Sequence, residues 1–132
     1  MRILRPLHPA EMCRYPEDNL QSTFHLGVLD GGKIVSNGTF MQQASAHKSL
    51  QGFKVPYRLR GMATDEDYRG KGLGREIILA AEIELSKRAC DLLWFNARVS
   101  AEGFYCKLGY QAIEEIFNID SIGAHKIMYK KF

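Results

Sequence analysis

The chain has 132 residues, 45% of them hydrophobic and 25% charged, with a formal net charge of +3. That length sets one domain around a single core as the expectation, and cations interleaved with acids, with no basic run of five or more, argue against a nucleic-acid-binding stripe. Three cysteines at positions 13, 90 and 106, without a CxxC pair, argue against a disulfide framework or a zinc site, and no run of 18 apolar residues could span a membrane, so the cytoplasm is the expected location.

In chain order, residues 3–7 read as a short first strand ended by Pro6 and Pro9, too proline-broken for a secretory signal. Residues 9–20 are polar and read as a loop with one helical turn. Residues 23–29 alternate as a strand, and Asp30-Gly31-Gly32 is a hairpin signal, because consecutive glycines supply the positive φ a tight turn needs. Residues 33–41 return as the partner strand. Residues 42–54 read as a surface loop. Residues 57–64 alternate again, with Tyr57, Leu59, Gly61 and Ala63 on one face.

A glycine-rich connection over residues 65–74 leads into a helix over residues 73–88. Leu73, Ile77, Ala80, Ala81 and Glu84 form its stripe, broadened by Ile78, Leu79, Ile83 and Leu85, so the helix is expected to be largely buried. Residues 92–96 are a continuous apolar run ending at Asn96, the pattern of a strand covered on both faces. Ser100 fits an N-cap for a short helix to Leu108, with Gly109 as its C-terminal glycine. Residues 110–117 read as a strand, and a turn at residues 120–123 leads to a last strand over residues 125–132. The order βββ–α–β–α–ββ describes an α/β domain with a mixed sheet.

The segment Arg69, Gly70, Lys71, Gly72, Leu73, Gly74 lies between a strand and the longest helix. A helix N-terminus leaves four amide N–H groups without intrahelical partners, and the macrodipole adds positive potential there. Glycines let an anion approach the backbone, and Arg69, Lys71 and Arg75 add charge, so a phosphate or pyrophosphate is the expected guest. The pattern [Arg/Gln]-x-x-Gly-x-[Gly/Ala] alone arises by chance in roughly one chain in eight of this length; its position is what gives it weight. A P-loop is excluded because Leu73 follows where a hydroxyl must stand, and the Gly70, Gly72, Gly74 spacing is not that of a dinucleotide fingerprint. Downstream, a strand ends at Asn96 and a short helix carries Tyr105. A tyrosine there can donate its phenolic proton to a departing thiolate, or simply be a partly buried aromatic with a local hydrogen bond.

Together, the loop of residues 69–74 and the segment holding Asn96, Ala101, Phe104, Tyr105, Gly109 and Tyr110 resemble the GNAT superfamily of N-acetyltransferases. The resemblance runs over residues 24–132, and the ending Gly123-x-His125-x-x-Met128 is similar to that of small bacterial members, with Ile122 before it. It implies one acyl-CoA N-acyltransferase domain over residues 1–132, with a central mixed, mostly antiparallel twisted sheet flanked by helices. It implies acetyl-CoA as co-substrate and no metal. Main-chain amides of Arg69 to Gly74, with Arg75, would hold the CoA pyrophosphate. Met62, Ala63 and Thr64 would pair with the pantetheine arm and offer an oxyanion donor. Asn96 would stand where acetyl group and acceptor meet, and Tyr105 would be the general acid.

The sequence departs from that family in two places. The stretch from Arg58 to Thr64 carries no glutamate to act as general base. His125 stands as a candidate base, directly or through water, against the commoner structural role for a strand histidine; Glu102 and Asp65 are further candidates, and an amine arriving neutral needs none. The portion over residues 1–23 is also short of the two helices that usually wall the acceptor site, a wall expected either to be reduced or to be supplied by a second subunit in a homodimer. The leading function is acetyl transfer to a primary amine, on a small molecule or peptide; the alternative is a CoA-binding regulatory module with little turnover.

Overall fold

The computed structural model describes the backbone of residues 11–15 and the whole of residues 23–68, 70, 72–119 and 123–132. The expected strand over residues 3–7 lies outside them. Among the described residues there are eight strands and two α-helices: β1 (Glu11–Tyr15), β2 (Phe24–Asp30), β3 (Lys33–Gln42), β4 (Pro56–Thr64), α1 (Leu73–Lys87), β5 (Leu92–Arg98), α2 (Glu102–Lys107), β6 (Gln111–Ala112), β7 (Phe117–Ile119) and β8 (Gly123–Lys131). The chain divides into two compact units, one comprising the chain to Gln42 with Leu59–Ala89, the other Gln43–Arg58 with Cys90–Phe132. β4 contributes to both. No helix among the described residues is long and apolar enough to cross a membrane.

In the first unit the strands run in the order β1-β2-β3-β4. β2 and β3 form the expected hairpin, pairing antiparallel to Asp30↔Lys33. Gly31 and Gly32 turn it with φ of +60° and +83°, the two positive values that a two-residue turn matched to strand twist requires. α1 packs on β2 and β3. Its inward residues Ile77, Ile78 and Leu85 are fully buried, which contributes about 1.5–3 kcal/mol for each. Gly38 on β3 allows this approach, since a Cβ there would lie 3.2 Å from Ile77 Cγ2. Glu84, buried on the same helix, is neutralised by Arg88 at 2.8 Å, whose guanidinium lies 4.6 Å from the centroid of the Phe24 ring. Ile83, expected to widen the buried face, is instead 53% exposed: on the helical wheel it falls outside the arc of the inward residues.

β1 corrects the expectation of a loop with a helical turn over residues 9–20. Its sequence alternates poorly, and its extended form is set by antiparallel pairing to β2, from Glu11↔Leu29 to Tyr15↔His25. Propensity is weak beside an available strand edge.

In the second unit the order is β4-β5-β8-β6, with β7 also paired to β8. β4 and β5 are parallel over Pro56↔Leu92, Tyr57↔Leu93 and Arg58↔Trp94; the other registered pairs are antiparallel. β5 is buried on both faces, as its apolar run implied. One face carries Leu92 and Trp94 in a cluster with Leu50, bordered by Phe53, Ile113, Ile127 and Tyr129. The segment expected to be a surface loop after β3 is therefore partly core: Leu50 is buried within a 3-10 turn, Lys48–Leu50, and Gln43 accepts the Trp94 indole N–H at 2.8 Å.

Two boundaries differ from expectation. Residues 110–117 do not form one strand. β6 stops at Ala112, and β7 begins at Phe117; between them Ile113 turns to the Leu50 cluster, while Glu114 and Glu115 reach Lys126 and His47. Ser100 is not an N-cap either. A 3-10 turn, Val99–Ala101, precedes α2, whose N-cap Ala101 makes no side-chain cap bond. Gly109 does end the helix as expected, with φ +95° and its N–H on the Cys106 carbonyl at 3.0 Å.

Candidate functional site

In the first unit, β4 ends at Thr64 and the chain passes through a 3-10 turn, Glu66–Tyr68, to the start of α1. Gly70 and Gly72 take φ of +78° and +79°, conformations that other residues adopt only with strain, and nothing lies within 4 Å of where a Cβ would be. Gly72 is the N-cap of α1 without a side-chain cap bond, and the first intrahelical bond is Glu76 N–H to its carbonyl at 3.0 Å. The N–H groups of Gly72, Leu73, Gly74 and Arg75 thus have no intrahelical acceptor. The Arg75 side chain is exposed and Leu73 is buried beneath the turn. Arg69 and Lys71 lie outside the described residues. The arrangement suits an anion: open backbone, left-handed glycines and a helix dipole. On β4, Ala63 is exposed, whereas Met62 and Thr64 are half-buried, Thr64 bonding Ser36 through their hydroxyls at 2.8 Å.

In the second unit, β5 and β8 position the remaining candidates. Asn96 pairs with Ile127 and Arg98 with His125, so strand alternation brings Asn96 and His125 to one face. Tyr105 stands on the other face. Its ring packs on Phe95 with centroids 4.5 Å apart, and Tyr110 packs on the same ring at 5.5 Å. Burial pushes the Tyr105 phenol up to about 12. His125 is 5% exposed, stacks on Phe117 at 5.9 Å and donates from Nδ1 to the Gly123 carbonyl at 2.8 Å. With that proton on Nδ1, the lone pair of the neutral ring is on Nε2.

Within each unit, several pairings of charged groups were not visible in the sequence. Lys126 Nζ lies between Glu102 of α2 at 3.0 Å and Glu114 at 2.9 Å, and those hydrogen bonds, Glu114 first, raise its pKa. Glu102 is thereby tied up, and Asp65 is paired with Lys33 at 3.1 Å. Tyr68 donates its hydroxyl to the Asp30 carboxylate, a bond that raises the phenol's pKa, with lesser contributions from burial and the charges of Asp30, Asp65 and Asp67. The signal for these pairs was weak because partners lie up to 38 residues apart. Among the described residues no group of three or more His, Cys, Asp or Glu is arranged to hold a metal ion.

Residues 21–112 match the family model of the acetyltransferase (GNAT) domain. Over 129 aligned residues, 98% of this chain and 85% of the relative, the sequence is 42% identical to the N-acetyltransferase YitI of Bacillus subtilis (strain 168). The fold is similar to that of the ribosomal-protein-S18-alanine N-acetyltransferase of Escherichia coli, with TM-score 0.65 and 22% identity over 86% of this chain and 71% of that one. It is also similar to the paia N-acetyltransferase of Thermoplasma acidophilum, solved with coenzyme A, with TM-score 0.61 and 18% identity over 84% of this chain and 62% of that one.

Proposed function

The chain belongs to the GNAT acetyltransferase family, an acetyl-CoA-dependent group, and from that premise we propose that it moves acetyl to a primary amine by direct attack in a ternary complex. The observation that carries the donor half is the pair of left-handed glycines, Gly70 and Gly72, opening α1 with empty space where side chains would be. Amides there, with Arg69, Lys71 and Arg75 nearby in sequence, bind the CoA pyrophosphate. Binding energy from the remote phosphates then holds the thioester in place, so little nucleophilic machinery is needed.

In this reading the backbone over Met62, Ala63 and Thr64 pairs with the pantetheine arm, and an amide of that stretch donates to the thioester oxygen as negative charge develops on it. The exposure of Ala63 supports such access. The amine nitrogen forms a bond to the carbonyl carbon, the C–S bond breaks, and the thiolate is met by the Tyr105 hydroxyl. A phenol held at about 12 keeps its proton throughout the neutral range. Full transfer to a thiolate with an ordinary pKa of about 8.5 is uphill, so Tyr105 acts chiefly by hydrogen-bonding the charge as it appears. Asn96 orients the acceptor. Of the base candidates, Glu102 and Asp65 are each engaged by a lysine, Lys126 and Lys33. The proton that the attacking nitrogen loses goes to His125 Nε2 or, for an amine that arrives neutral, to the departing thiolate.

The test is acetyl-CoA consumption against a panel of amino acids, polyamines, aminoglycosides and peptide N-termini, with initial rates varied in both substrates. Intersecting double-reciprocal lines are expected. Parallel lines would replace direct attack with an acetyl-enzyme, and tight CoA binding with no consumption across the panel would favour a CoA-binding module.

A further inference from the structure

The connection entering the phosphate-binding turn is fastened, residue by residue, to the β2–β3 hairpin of the same unit. Thr64 bonds Ser36 through their hydroxyls at 2.8 Å, and the Asp65 N–H donates to the Val35 carbonyl at 2.7 Å. Lys33 Nζ stands 3.1 Å from the Asp65 carboxylate. One turn on, the Tyr68 N–H donates back to the Asp65 carbonyl at 2.8 Å, and the Tyr68 hydroxyl donates to Asp30. Asp30 is held in turn by the two-residue Gly31–Gly32 reversal, where it pairs with Lys33.

We propose that Asp30 and Tyr68 are positioning residues for CoA: their hydrogen bond sets the path of the chain into the Gly70–Gly72 turn before the ligand arrives. The proposal rests on the CoA reading given above. Glycine loses more backbone freedom on ordering than any other residue, so a turn built on two left-handed glycines needs rigid flanks if ligand is not to bear that cost. α1 is the flank on one side. On the other, Tyr68 is two residues from Gly70, and its side chain makes the tie nearest to the turn among the described contacts. The Lys33–Asp65 pair is a lesser restraint, because its side chains are 72% and 42% exposed and water screens them. A phenol on a carboxylate is a charge-assisted bond with defined direction, and it is the tie able to fix a backbone path.

Calorimetry with CoA on the full chain, with Tyr68→Phe, Asp30→Ala, Asp30→Asn and the Tyr68→Phe/Asp30→Ala double variant, tests this. Each of Tyr68→Phe and Asp30→Ala is expected to weaken CoA about tenfold, the order of one charge-assisted hydrogen bond, and the double variant no further. Asp30→Asn, whose amide oxygen still accepts the phenol, should remain close to the parent. In the ligand-free protein, amide hydrogen exchange over residues 70–75 should be faster in Tyr68→Phe, a readout that needs no ligand. Parent protein that binds CoA while the single variants bind equally well, or exchange that is unchanged in that turn, overturns the positioning role alone. Parent protein that gives no heat with CoA overturns the CoA reading, and the positioning role with it.

Discussion

Replacing Tyr105 with phenylalanine should abolish a specific part of the protein's alkaline instability. The phenol is 8% exposed, its ring packs on Phe95, and burial lifts its pKa from 10.0 to about 12. A folded-state pKa above the unfolded one means that the native chain holds this proton more tightly. Below the unfolded value both states are protonated and the stabilisation is present in full. As pH rises from 10.0 towards about 12 the unfolded chain ionises first, and the stabilisation is lost. At about 1.4 kcal/mol per pKa unit, that loss comes to roughly 3 kcal/mol. Urea unfolding, followed by the fluorescence of Trp94 in steps from about pH 8 to pH 12, measures it as a difference between parent and variant. Cys90 is likewise pushed up to about 11, mainly by burial, and destabilises the fold over an overlapping range. That contribution is common to both proteins and cancels. The parent should lose roughly 3 kcal/mol relative to Tyr105→Phe across the interval. Parallel curves would refute the buried phenol, and with it the packing on Phe95 that places it.

The same Tyr105→Phe variant should lower kcat by about a hundredfold or more while CoA affinity, by calorimetry, changes less than about threefold; unchanged turnover would remove Tyr105 from the chemistry. Gly38→Ala should cost about 1–3 kcal/mol in urea unfolding, because its Cβ would stand 3.2 Å from Ile77 Cγ2 and 3.3 Å from Phe40 Cε1. Gly61→Ala, with no atom within 4 Å of the added Cβ, is the control and should cost far less.

The elements that could be read from the sequence are those whose cause is local. The hairpin declared itself because only glycine occupies two successive left-handed positions without strain, and α1 because its buried residues recur at helical spacing. β5 was legible as an apolar run because it is covered on both faces. By contrast, β1 is extended through its pairing to β2, and nothing in residues 11–15 announces that partner. The break between β6 and β7 is caused by side chains far away in sequence: Ile113 joins the Leu50 cluster, and Glu115 meets His47, which lies 68 positions earlier.

The candidate site divides along the same line. A ligand held by backbone amides requires particular φ values, and these restrict residue type so strongly that Gly70 and Gly72 stand out in the sequence. A group held by side chains places no such demand on its own neighbours. Whether a carboxylate such as Glu102 or Asp65 is available as a base depends on whether a lysine reaches it, and Lys126 and Lys33 do so from 24 and 32 positions away. In the reading proposed above, the donor half is therefore written into consecutive residues, whereas the proton-handling half is decided by contacts that exist only once the chain has folded. Asp30 belongs to both descriptions: in the sequence it introduces a hairpin turn, and in the fold that turn holds its carboxylate against Tyr68.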